Sequence, residues 1–154
     1  MSTRPVSMAN QIANAVVTAL GQIIETKQGG KWLTSLRTCK RSLMLGDIMT
    51  AARPAMCVQV MEWVDKPTGP EHHEATMRLA VHCLVDDIET GEESLNDMAS
   101  DAIRAITDDE SLAGLVTMIL PSKYVPQLDA MAMHGIGIAS VEFEVVFQWT
   151  HGAP

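Results

Sequence analysis

Two stretches of strict two-residue alternation constrain this chain more than any other feature. From His73 to Val85, one side carries Ala75, Met77, Leu79, Val81, Cys83 and Val85, and the other carries Glu74, Thr76, Arg78 and His82. From Gly137 to Thr150, Val141, Phe143, Val145, Phe147 and Trp149 alternate with Glu142, Glu144, Gln148 and Thr150. Successive side chains on a strand point to opposite faces, so each run reads as a strand with one buried and one wetter face. A third strand is expected from about Ala55 to Trp63, where Met56, Val58 and Val60 alternate with Cys57, Gln59 and Met61. The alternation falters at Glu62-Trp63, which marks a bulge or the strand's end. Asp65-Lys66-Pro67-Thr68-Gly69-Pro70 then reads as the turn of an antiparallel hairpin.

The helical period appears twice. Ile12, Val16, Leu20, Ile23 and Ile24, widened by Val17, predict a helix from about Pro5 to Thr26, with Ser7 as N-cap and Gly29-Gly30 ending it. Leu95, Met98, Ala99, Ala102, Ile103 and Ile106 predict a second helix from about Gly91 to Ile106, with Thr90 and Glu93 at capping-box spacing. Leu112 to Leu120 reads as a short turn and then a strand, and Pro121 to Gly135 as a loop. Residues 27–54 are the least regular part, fitting either two weak strands or a long extended arm. This order predicts one α+β domain over residues 1–154: a mainly antiparallel sheet of about four strands, two amphipathic helices packed on one face, and a long extended arm.

Composition narrows the class. The 154 residues are 47% hydrophobic and 19% charged, which is globular rather than disordered. Aromatics are only 4% against 11 Met, so the core is built mostly from aliphatic side chains and adaptable Met. No apolar run approaches the roughly 18 residues a membrane span needs, and MSTRPVSMANQ lacks a secretory apolar stretch. Cys39, Cys57 and Cys83 have no C-x-x-C spacing, which implies reduced thiols in a protein made in a cytoplasm.

The net charge of −8 disfavours nonspecific nucleic-acid binding, which rests on Lys and Arg neutralising phosphates. The charge is unevenly spread. Lys27, Lys31, Arg37, Lys40, Arg41 and Arg53 face only Asp47 in their segment, leaving it at +5 and the remaining chain at −13. Such bipolarity suits contact between copies or with an oppositely charged partner.

Motifs for phosphate cradles, dinucleotides, zinc hydrolysis and serine hydrolysis are absent from the sequence. His72-His73, near Glu71 and Glu74, is the best metal-like cluster, but neighbours on a strand point apart. His82 has no nucleophile implied beside it. Asp108-Asp109-Glu110 lacks calcium-loop spacing and reads as a solvated turn, as does Asp86-Asp87 with Glu89. The expectation is therefore no catalytic, cofactor-binding or metal-binding residue.

Four segments together resemble the tail-terminator and neck (head–tail joining) proteins of tailed bacteriophages. They are the helix Ile12–Leu20, the strand entry Arg53-Pro54-Ala55-Met56-Cys57-Val58-Gln59-Val60, the run Ile103–Val116 with its acidic turn and Leu112-Ala113-Gly114-Leu115, and the last strand Val141–Trp149. The long basic arm and the Pro121–Gly135 insertion depart from that pattern. The resemblance implies a non-enzymatic virion protein forming a ring, usually six-fold, that caps the tail tube and joins it to the head. It implies identical copies, a tail tube protein and a head-completion or connector protein as partners, with DNA passing through the lumen and no membrane. Lys31, Arg37, Lys40 and Arg41 are then expected at a contact with a neighbouring subunit or ring.

Overall fold

A computed structural model of the chain describes residues 7–23, 32–41, 52–86, 91–127 and 135–150. Helix α1 covers Met8–Gly21. The Ser7 hydroxyl accepts a hydrogen bond from the Asn10 amide at 3.2 Å, satisfying one of the donors that a helix start leaves free. The expected helix was longer, but the residues beyond Ile23, including Gly29-Gly30, lie outside the described residues. Ile12, Val16, Leu20 and Ile23 are fully buried. Ala9, Ala13 and Ala19 widen that face and let the helix sit close to the sheet.

The protein is α+β, built on one mixed five-stranded sheet. Its strands are β1 (Thr38–Arg41), β2 (Ala55–Pro67), β3 (His72–Val85), β4 (Met118–Pro126) and β5 (Gly137–Thr150), in the order β1-β2-β3-β5-β4. β1 runs parallel to β2, and every other pair is antiparallel. Helix α2 (Gly91–Thr107) lies with α1 on one face, and a short helix α3 (Glu110–Leu115) leads into β4. The core sits between helices and sheet: Leu95, Met98, Ala102 and Ile106 from α2 meet Met77, Leu79, Val81, Val141, Phe143 and Val145.

The α+β class and mainly antiparallel sheet stand, and several boundaries need correction. The basic segment adds β1 as the fifth strand, within residues 27–54 where weak strands were one of the two readings. Four residues, Thr-Cys-Lys-Arg, carry no apolar alternation, and the strand forms because Ala55–Val58 offer an edge to pair with. Asp65 to Pro67 is strand and not turn; the reversal occurs later, where the Thr68 amide donates to the His72 carbonyl at 2.9 Å. The break near Glu62 is a bulge, with Met61 left without a partner between the Val60–Leu79 and Glu62–Arg78 pairs. Pro121 to Pro126 is strand and not loop. β4 is an edge strand bonded on one side only, so it tolerates prolines, and Ser122 bulges out between the Pro121–Phe143 and Lys123–Glu142 pairs. Residues 128–134 of the expected loop lie outside the described residues. Gly135, with φ of +69°, takes the chain into β5 through a left-handed conformation that L side chains disfavour.

Candidate functional site

The helices cover one face of the sheet. The other face divides in two along the strands. At the β1 end, Ala55, Cys57, Leu84, Ile136 and Ile138 form a second, smaller buried cluster. Next to it runs a polar row across three strands. His82 Nε2 donates to Gln59 Oε1 at 2.8 Å, and the Ser140 hydroxyl donates to His82 Nδ1 at 2.7 Å. Burial lowers the His82 pKa, against a smaller opposite pull from Glu142, so the imidazole stays neutral at pH 7.

A serine donating to a histidine that is held by a third group has the outline of an activated nucleophile. The sequence implies no nucleophile beside His82; the fold supplies the hydroxyl, because β5 brings Ser140 to it. The setting suits a structural row instead. Ser140 is 4% exposed, and its strand is paired on both sides, so its backbone amides belong to ladders and not to an oxyanion pocket.

Beyond that row the face opens. Arg78 bonds Glu62 at 3.1 Å and the buried Glu142 on the neighbouring strand. Past them, Val64, Thr76, Val146 and Met118 line up across four strands, with Leu120 and Glu144 beside them. Val64, Met118 and Leu120 are exposed large apolar side chains, Val64 at 67% and Leu120 at 51%. No described helix lies over this half of the face.

On the helix-bearing face the same end of the sheet carries an aromatic group. The His73 ring stacks on Trp149 with centroids 4.1 Å apart. Asp65 holds both rings: its Oδ2 accepts from His73 Nδ1 at 2.7 Å and its Oδ1 from Trp149 Nε1 at 2.9 Å. A cavity of about 230 Å³ lies beside them, lined by Ala9, Trp63, Asp65, Ala75, Phe147 and Trp149. His73 is thus a packing and hydrogen-bonding residue, and His72 occupies the next register position along the strand. Among the described residues, no group of three or more His, Cys, Asp or Glu is arranged to hold a metal ion.

The basic residues lie along the outer edge of the sheet. Arg37 immediately precedes β1 and is exposed; Lys40 and Arg41 lie on it. Arg41 donates to Asn14 Oδ1 on α1 at 3.4 Å. Lys31 lies outside the described residues. Arg53 pairs with Asp86, which ties that end of the segment to β3.

The chain before β1 is anchored by a residue that the sequence reading passed over. Asp101 of α2 is 1% exposed, and its carboxylate accepts from the Leu33 amide at 3.1 Å, the Thr34 amide at 2.8 Å and the Thr34 hydroxyl at 2.7 Å. Its position, three residues after Met98 and four before Ala105, puts it on the margin of the apolar stripe, and that was the available signal. The three thiols sit in or near the core. Burial pushes Cys39 and Cys83 up to about 12 and raises Cys57 as well, so all three stay protonated and unreactive at neutral pH.

No protein-family model matches the chain, and no curated protein matches it. Among the described residues, no helix is long and apolar enough to cross a membrane.

Proposed function

We propose that the chain is a structural virion protein that forms a six-fold ring at the head-proximal end of a phage tail. In this role it terminates the tail tube and presents the surface on which the head is joined. The observation that carries the reading is the open half of the second sheet face, where Val64, Met118 and Leu120 stand exposed around the Glu62–Arg78–Glu142 ion pairs. Exposed apolar side chains rimmed by charge mark a contact surface rather than a reaction centre. The order of elements, which resembles that of tail-terminator and neck proteins, supports the same reading.

The partners on this reading are identical copies, the tail tube protein and a head-completion or connector protein, with DNA passing through the lumen. Lys31, Arg37, Lys40 and Arg41 belong to a contact with a neighbouring subunit or ring. The protein is made in the host cytoplasm and ends in the neck of the particle. Cryo-electron microscopy of purified particles tests this: density for the fold in a ring between tail tube and head is expected, and particles lacking the chain would refute it. Density at another level of the neck would instead make it a different connector or tail-completion protein.

The apolar cavity beside Trp63 and Trp149 favours a second reading, a small cytosolic ligand-binding module. A strict monomer that retains a small apolar molecule in native mass spectrometry would select it.

A further inference from the structure

Strand register gives the open half of the second sheet face an internal order. Its middle row is Val64, Thr76, Val146 and Met118, one residue from each of four strands. Two residues along the strands toward the hairpin, the next row is Lys66, Glu74 and Gln148. Two residues the other way, the row is Glu62, Arg78, Glu144 and Leu120. Residues two apart on a strand share a face, so the three rows stand side by side on one surface. The middle row carries no charge. Every residue of the two flanking rows except Glu74 is exposed, and in the middle row Val64 and Met118 are exposed as well.

The two flanks are complementary strand by strand. β2 carries Lys66 on one side of the middle row and Glu62 on the other; β3 carries Glu74 and Arg78; β5 carries the Gln148 amide and Glu144. Turning a second copy by 180° about an axis along the middle row lays its face on the first and exchanges the flanks. Lys66 of each copy then lies over Glu62 of the other, Glu74 over Arg78, and Gln148 over Glu144. Glu62 and Arg78 are already bonded to each other, and Arg78 to Glu142, so this cluster has two carboxylates against one guanidinium. The surplus negative charge is what Lys66 of the other copy meets, and the five N–H donors of Arg78 leave room for Glu74. Lys66, Glu74 and Glu144 take part in none of the ion pairs among the described residues. A two-fold axis along the strands would instead set Glu62 on Leu120 and leave Lys66 unmatched. Tilting the strands of each copy by about 15° from the perpendicular to the row gives the angle of about 30° at which aligned twisted sheets pack.

We propose that the open half of the sheet is a two-fold, isologous interface, and that its occupant is the same face of a second copy of the chain. The proposal rests on the reading of this half as a contact surface and commits that surface to a like-to-like contact, whereas ring closure uses head-to-tail contacts between different surfaces. With strands about 4.8 Å apart and a repeat of about 6.7 Å per two residues, the three rows cover about 20 by 20 Å. That footprint is about half of the 800 Å² per partner of a standard interface, so the contact is weak and reversible.

The test is sedimentation velocity and native mass spectrometry of the full chain up to about 500 µM, a range that reaches weak association. The wild type is expected to form dimers, or larger assemblies built of them. Val64 lies on the axis and meets its own counterpart there, so Val64→Asp and Val64→Lys each bring like charges together. Each is expected to raise the dissociation constant about tenfold or more, with an unchanged circular dichroism spectrum. Mixing the two variants is expected to restore a one-to-one heterodimer, which a head-to-tail contact would not do. Lys66→Glu, facing Glu62 across the interface, is expected to weaken the dimer by about threefold. A wild type that stays monomeric throughout, a dimer indifferent to both Val64 variants, or a mixture that stays monomeric would overturn the proposal. A monomeric chain whose open half is nonetheless protected from amide exchange in assembled particles would overturn it while leaving the contact-surface reading standing, with a different protein as occupant.

Discussion

β2 is one strand with two different surroundings. Ala55 to Val58 lie between β1 and β3, under α1 on one face and over a buried cluster on the other, and all four are buried. Met61 to Pro67 are exposed throughout, paired with β3 from Glu62 onward and, among the described residues, without a strand partner on the other side. Both halves are rich in apolar residues, so hydrophobicity alone does not separate them. Burial is supplied by neighbours: among the described residues, β1 pairs only with Ala55 to Val58, and the small cluster takes in Ala55 and Cys57. The first half makes the fold, and the second is the surface that the proposed reading gives to a partner.

That contrast can be broken in graded steps. Removing the ring of Phe143, fully buried on β5 at the centre of the sheet, is expected to cost about 3–5 kcal/mol in denaturant unfolding of Phe143→Ala. Asp101→Ala strips three donors of their shared acceptor and is expected to cost about 2–3 kcal/mol, with faster amide exchange at Leu33 and Thr34.

His82 lies on the boundary between the halves, and its effect depends on pH. Its folded pKa is below the ordinary 6.5 because burial disfavours the charged ring. Below that value the unfolded chain binds the proton more readily, so the stability held in full above pH 6.5 is lost as pH falls toward and through the folded pKa. Denaturant midpoints between about pH 5 and 7.5 should decline toward acid in the wild type and decline less in His82→Gln. The smallest effect belongs to the open half. Val64→Ser and Leu120→Ser are expected to change the unfolding free energy of the isolated chain by no more than about 0.5 kcal/mol. A larger loss in either would mean that this half is covered.

Much of the fold was legible because its signals are local. The alternations of β3 and β5, the Ser7 cap, the stripes of α1 and α2 and the break at Glu62 each reflect a periodicity or a backbone preference that survives in the sequence. What escaped depends on distant partners. Residues 27–54 left strand or arm open, and β1 is a strand because β2 lies beside it, 17 positions on in register from Thr38 to Ala55. Prolines at 121 and 126 argued for a loop, and the single-sided bonding of an edge strand overrode them. The candidate site was harder still. Ser140 meets His82 across 58 positions and Asp101 meets Thr34 across 67, and no spacing rule spans such gaps. The basic residues were legible as a cluster, but the place of Arg37, Lys40 and Arg41 along the outer edge of the sheet came only from strand order.

Amide hydrogen exchange on the chain, isolated and then assembled in particles, tests most directly whether the open half of the sheet is a contact surface. Assembly is expected to slow exchange from Gln59 to Pro67 and around Met118 to Leu120, with Ala55 to Val58 already protected and little changed. Identical exchange across the open half in both states would contradict it.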